Sequence, residues 1–184
     1  MILMFGPTGA GKSMQGQMLA VRQGWKWLST GEMLRQSTDP AVIDKLKAGE
    51  LISDELTYAV FDSAIQEAIS AKFPNTIVDG FPRTKEQAEW LGKYLEAIHQ
   101  AIDVVVVLEV PENEIMQRLA MRGRMEDTPE TITKRMTIYR QKMYPVLGIL
   151  AEKGVRIVHL DGVGSAGEVH DRIYAEVMEA CQNS

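Results

Sequence analysis

Five short apolar runs, at residues 2–5, 25–28, 76–78, 104–108 and 155–160, are spaced along the chain with helix-like segments between them. None alternates apolar and polar residues with period two, so each predicts a strand buried on both faces, as in a parallel sheet covered by helices. Periodicity predicts helices over residues 12–22, 53–70, 85–97 and 166–181. Another is expected from Pro129 to Lys153, with Thr128 as N-cap, proline in the first turn and Gly154 as the stop. Pro145 lies inside it and is expected to bend or interrupt it, since proline lacks an amide proton and clashes with the preceding turn. Strand, helix, strand connections imply right-handed crossovers and an open sheet whose ligand crevice lies beyond the carboxyl ends of the strands. Residues 29–54 and 122–128 fit the sheet pattern least and are expected to be excursions from the core.

The chain has 184 residues, 45% hydrophobic and 24% charged, which suits one domain with a small insertion rather than a disordered or fibrous chain. A net charge of -5 argues against a surface dedicated to nucleic acid or anionic membrane, and any basic site must be local. The one cysteine, Cys181, excludes an internal disulfide and a multi-cysteine zinc site, which fits a reducing cytoplasm. His99, His159 and His170 show no metal-ligand spacing. No apolar run approaches the roughly 20 residues needed to span a bilayer.

Chemistry enters after the first predicted strand. Gly6-Pro7-Thr8-Gly9-Ala10-Gly11-Lys12-Ser13 satisfies the phosphate-loop pattern G-x-x-x-x-G-K-[ST] and stands between a predicted strand and a predicted helix. Glycines let the backbone curl so that amide groups point inward, and the helix adds its positive end to the anion site. Gly9, Ala10, Gly11, Lys12, Ser13 and Met14 are the expected ATP contacts, with Lys12 on the β- and γ-phosphates and Ser13 on Mg²⁺. This motif alone serves ATPases, GTPases, helicases and small-molecule kinases.

The third predicted strand runs into Asp79-Gly80-Phe81-Pro82-Arg83-Thr84. Asp79, at a buried strand end, is the second candidate for Mg²⁺, through water. Arg83 opens a helix, where its guanidinium can fork onto a phosphate. Arg118, Arg122, Arg124 and Arg135 follow the fourth strand; the first two are four apart on one helical face. Clustered guanidinium groups neutralise charge spreading over a transferring phosphoryl group.

Taken together with Ser29-Thr30-Gly31-Glu32-Met33-Leu34-Arg35 and Gly49-Glu50-Leu51-Ile52-Ser53-Asp54-Glu55, these motifs resemble the adenylate kinases, in the right order over nearly the whole chain. The resemblance implies an α/β fold of the P-loop NTPase type, three layers with a five-stranded parallel sheet, a helical monophosphate-binding insertion at 29–58 and a minimal lid at 122–128. It implies AMP contacts from Thr30, Gly31, Arg35, Glu50, Leu51, Ile52, Gly80, Phe81, Pro82, Arg83 and Gln87, with Gln87 reading the adenine edge. Arg118 is expected over the ATP adenine, Arg122 on its phosphate and Gly164 beside the base. Arg124 and Arg135 are expected to bridge the two nucleotides' phosphates. Thr30 and Thr84 favour AMP over UMP or CMP, whose kinases usually carry alanine and asparagine there.

The chain also departs from that family. A single glycine separates Arg122 from Arg124, so the lid falls below the usual short form and lacks zinc-ligand cysteines. Met14 replaces a usual threonine, and Glu32 a shorter aspartate near the metal. The expectation is a monomeric cytoplasmic enzyme acting on small-molecule nucleotides, Mg²⁺-dependent and zinc-free, with no nucleic acid or membrane partner. Lys12, Arg35, Arg83, Arg118, Arg122, Arg124 and Arg135 form its electrostatic clamp. Two alternatives stay open here: a kinase for UMP, CMP or a deoxynucleotide such as dAMP, and a non-catalytic nucleotide sensor.

Overall fold

The computed structural model describes residues 1–48, 50–123 and 127–182. Its five strands are β1 (Ile2–Phe5), β2 (Lys26–Ser29), β3 (Thr76–Asp79), β4 (Val104–Glu109) and β5 (Ile157–Asp161). They pair in parallel in the order β2-β3-β1-β4-β5, with Leu3 opposite both Val78 and Val105. The helices are α1 (Lys12–Gln23), α2 (Thr30–Arg35), α3 (Pro40–Lys47), α4 (Asp54–Ser70), α5 (Lys85–Ala97), α6 (Glu112–Arg122), α7 (Pro129–Glu152) and α8 (Ala166–Gln182).

Because successive strand side chains point to opposite faces, the apolar runs feed two cores at once. Leu3, Phe5, Val78, Val105 and Val107 meet α4, α5 and α7 on one face. Ile2, Met4, Ile77, Val104 and Val106 meet α1 and α8 on the other. That is the three-layer α/β/α arrangement. A smaller cluster of Ile115, Leu119, Ile132 and Met136 joins α6 to α7. Among the described residues no helix is long and apolar enough to cross a membrane.

Three local expectations are corrected. β2 begins at Lys26 rather than Trp25, whose amide donates to Ala20 and finishes the α1 terminus instead of joining the sheet. β5 begins at Ile157, because the amide of Val155 still donates to Leu150 at the end of α7. Helix α7 runs through Pro145 without interruption. Both Pro145 and Gln141, whose carbonyl loses its partner, lie on the exposed side, where water satisfies that oxygen. Val146, Leu147 and Leu150 bury the opposite side and hold the helix together. The Thr128 cap is present, its hydroxyl accepting from the Thr131 amide at 3.2 Å. The excursion after β2 folds as α2 and α3.

Candidate active site

The carboxyl ends of β1 and β3 deliver the two halves of one chemical site. After β1 the loop turns on glycines: Gly9 has φ +83, and a Cβ there would lie 2.9 Å from Leu119 Cγ on α6. The loop therefore packs tightly against α6, and the Ala10 amide closes a turn onto Pro7 O at 3.2 Å. Lys12 donates from Nζ to the carbonyls of Gly6 at 2.7 Å and Pro7 at 2.8 Å. Burial lowers its pKa from the ordinary lysine value, with Asp79 opposing and Arg83 and Arg122 adding to the depression.

Ser13 Oγ donates to Asp79 Oδ2 at 2.5 Å, so the two proposed metal groups meet although 66 residues separate them in sequence. Asp79 is 4% exposed. Among the described residues no group of three or more His, Cys, Asp or Glu side chains could enclose a metal. The donor set still fits Mg²⁺, a hard cation that takes one or two protein oxygens and completes its shell with phosphates and water.

The turn after β3 gathers Thr30 and Arg83 onto one carbonyl. The Gly80 carbonyl accepts from Thr30 Oγ1 at 2.9 Å and from Arg83 Nε at 2.7 Å. The Phe81-Pro82 peptide is cis. Gly80 has φ +86, a backbone region that favours glycine, and a Cβ there would lie 2.8 Å from Arg83 Nη2 and displace that guanidinium. Arg35 and Arg83 converge on Gly31, whose missing side chain leaves Arg83 Nη2 only 3.3 Å from the Cβ position. Burial lowers the Arg83 pKa, and Arg135 and Arg35 lower it further against the pull of Asp79. The arginines of the two predicted groups thus share one field.

Arg118 ties the phosphate loop to the late loop, donating to Ala10 O at 3.4 Å and Gly162 O at 3.0 Å while Glu114 holds its Nε at 2.9 Å. Arg122 and Arg135 both reach Asp127. Arg135 also donates to Leu46 O at 3.1 Å, and Lys134 pairs with Glu50 at 2.9 Å, joining α7 to the excursion. Arg124 lies outside the described residues.

One cleft of about 680 Å³ is lined by Gly9, Ala10, Gly11, Lys12, Ser13, Met14, Gly31, Arg35, Glu50, Leu51, Asp79, Gly80, Phe81, Pro82, Arg83, Arg118, Arg122, Arg135 and Gly164. Thr30, Ile52 and Gln87 line a narrow extension of about 20 Å³ that shares Gly31, Glu50, Leu51, Gly80 and Arg83 with the cleft. As it stands the extension is too small for a purine ring. Met14 is 48% exposed at the rim. Glu32 is not among the lining residues; its amide is used in capping α2 from Ser29 Oγ at 3.3 Å.

Sequence reasoning missed Asp127, which gathers two arginines, and the pairing of Asp54 with Gln87. It also missed Tyr139, Lys142 and Met143, which α7 contributes to the cleft wall. Only Asp127 had a local signal, an acid just before a helix cap in an arginine-rich stretch.

A family model for adenylate kinase matches residues 4–155. An adenylate kinase of Thermus thermophilus is 35% identical over 184 residues, spanning 95% of each chain. One of Maricaulis maris is 35% identical across 97% of this chain and 98% of its own. One of Caulobacter vibrioides is 37% identical across 91% of this chain and 92% of its own. With a phosphate-loop sequence, a matching family model and near full-length similarity in agreement, the chain belongs to the adenylate kinase family.

Proposed function

We propose that this chain transfers the γ-phosphoryl group of Mg·ATP reversibly to AMP, giving two ADP, and so balances adenine nucleotides. The observation that carries this reading is the single cleft with the phosphate loop on one wall, Arg35 and Arg83 on the other and Arg122 and Arg135 beside them. The bond from the γ-phosphorus to the β,γ-bridging oxygen breaks as one forms to an AMP phosphate oxygen. That acceptor oxygen is already ionised, so no general base is needed, and positioning and charge neutralisation are the protein's main tasks.

Lys12 and the loop amides bind the donor phosphates; Arg118, with its stem and guanidinium between two loops, lies beside the ATP base near Gly164. Thr30, Arg35, Arg83 and the backbone from Glu50 to Ile52 hold AMP, and Gln87 faces its base. Arg122, Arg124 and Arg135 complete the clamp around the transferring group. Ser13 and Asp79 are the residues that would hold Mg²⁺, the latter through water. When bound, the ion would offset charge developing on the phosphate oxygens. Residues 29–58 act as the AMP-binding segment and residues 122–128 as a short lid. Both halves of the cleft come from one chain, which supports a monomer, and the cysteine content supports a cytoplasmic setting.

An acceptor panel of AMP, dAMP, UMP and CMP, with Mg·ATP as donor and ADP as readout, tests the proposal. AMP should dominate. Comparable UMP or CMP turnover would reassign the acceptor, and nucleotide binding without ADP formation would make the chain a sensor. Folded Lys12→Ala and Arg83→Ala variants should lose about 10²-fold or more in turnover, and near-normal activity would refute those roles.

A further inference from the structure

Gln87 is 2% exposed in the first turn of α5, facing the narrow extension of the cleft beside Thr30, Leu51 and Ile52. Both ends of its amide are engaged. Oε1 accepts from the backbone N–H of Arg83 at 2.7 Å, and Nε2 donates to Asp54 Oδ1 at 2.7 Å. A backbone N–H only donates, and an ionised carboxylate only accepts. An amide turned end for end would therefore set a donor against a donor at Arg83 and an acceptor against an acceptor at Asp54. We infer that Asp54, acting with the Arg83 N–H, locks the orientation of the Gln87 amide and thereby strengthens selection of adenine over hypoxanthine in the acceptor nucleotide. The inference rests on reading the extension as the acceptor's base pocket.

The amide has two N–H donors and two acceptor lone pairs, of which Asp54 and Arg83 use one each. One donor and one acceptor remain. Adenine offers the complement on one edge, an acceptor at N1 and a donor at the N6 amino group. Hypoxanthine has the same ring outline with the pattern reversed, a donor at N1 and an acceptor at O6. A locked amide matches the first and opposes the second. Asp54 opens α4 and Gln87 lies in the first turn of α5, so the lock does not depend on the α2 and α3 segment. Asp54 is a positioning residue; it acts through Gln87.

Asp54→Asn keeps size and shape but replaces an acceptor-only group with one that donates after its own amide rotates. Its oxygen can still accept from Gln87 for AMP, and its nitrogen relieves one of the two mismatches of a rotated Gln87 for IMP, the donor against the Arg83 N–H remaining. The test compares kcat/KM for AMP and IMP, with KM for ATP and Tm as controls. The expected result is an IMP kcat/KM raised about tenfold, the scale of one recovered hydrogen bond, with AMP kcat/KM, KM for ATP and Tm little changed. Asp54→Ala, which removes the acceptor altogether, should lower the AMP to IMP ratio in the same direction. An unchanged ratio in both folded variants overturns the lock, as does a Tm or ATP effect without a change in ratio. Gln87→Leu separates the two levels: it should raise KM for AMP and flatten the ratio. A normal KM for AMP in that variant removes the base-pocket reading itself. A strong Gln87 effect with silent Asp54 variants removes only the lock.

Discussion

The Arg122 guanidinium forks onto the Asp127 carboxylate, Nε to Oδ2 and Nη2 to Oδ1, each at 2.8 Å. Asp127 also accepts from Arg135 Nη1 at 3.3 Å, and its side chain is only 2% exposed. One buried carboxylate therefore holds two cations of the proposed clamp within reach of each other.

Removing that carboxylate's charge leaves the two guanidinium groups facing one another. Their side chains are 30% and 21% exposed, so water offsets part of the loss. Asp127→Asn is expected to cost about 2 kcal/mol, below the 3–5 typical of breaking a fully buried pair. Because phosphates supply the missing anion, ATP should raise the Tm of this variant by more than it raises the wild-type value. Urea unfolding and thermal melts with and without ATP check this, and an unchanged ligand shift would refute the pairing's role.

The phosphate loop and the strand-end motifs were legible because local sequence sets them: glycines for the curl, a lysine and hydroxyl at fixed offsets, a carboxylate where an apolar run ends. The sheet was legible for the same reason, since strands buried on both faces are uninterrupted apolar runs. What sequence left hidden was partner choice. Nothing near Gln15 announces that it meets His170, 155 residues away. Nothing near Asp54 points to Gln87. Those pairs are fixed by how α1, α4, α5 and α8 pack, and each partner alone reads as an ordinary polar residue. Pro145 shows the converse, a local signal whose interruption of the helix is prevented by the buried residues that follow it.

His170 is 6% exposed, its Nδ1 3.2 Å from Gln15 Oε1, while Gln15 Nε2 donates to Ala166 O at 2.9 Å. Burial, then Arg22, hold its pKa below 6.5, with Asp171 opposing. Just below 6.5 the unfolded chain takes up a proton that the folded chain refuses, so acidification favours unfolding and stability is regained as pH rises through that window. Between about pH 7.5 and about pH 5, His170→Gln should lose less unfolding free energy than wild type, with the other titrating groups common to both. Equal slopes in a urea series would refute the contribution.

Ser13 and Asp79 touch before any phosphate is considered, and the reading above gives both to Mg²⁺. Ser13→Ala removes the hydroxyl without adding bulk. The Mg²⁺ concentration for half-maximal rate should rise about tenfold, the scale of a weakened metal site, while KM for AMP holds. Rates over a Mg²⁺ series at fixed ATP and AMP decide it, and an unchanged Mg²⁺ dependence would assign the hydroxyl to the loop's structure alone.

Helix α6 ends at Arg122 and α7 begins at Pro129, so the connection proposed as the lid has six residues, 123–128. Closure of a lid excludes water from the transferring group, a known motion in adenylate kinases. On that proposal a connection this short leaves shielding to the Arg122, Asp127 and Arg135 contacts and to the proposed AMP-binding segment, which the Lys134–Glu50 pair links to α7 at 2.9 Å. ATP hydrolysis in the absence of AMP should therefore be measurable beside the transfer rate. It should increase further in Glu50→Gln, where that link loses its charge. Phosphate release followed with and without AMP makes the comparison, and leakage too small to detect in both proteins would show that the short lid shields the phosphates fully.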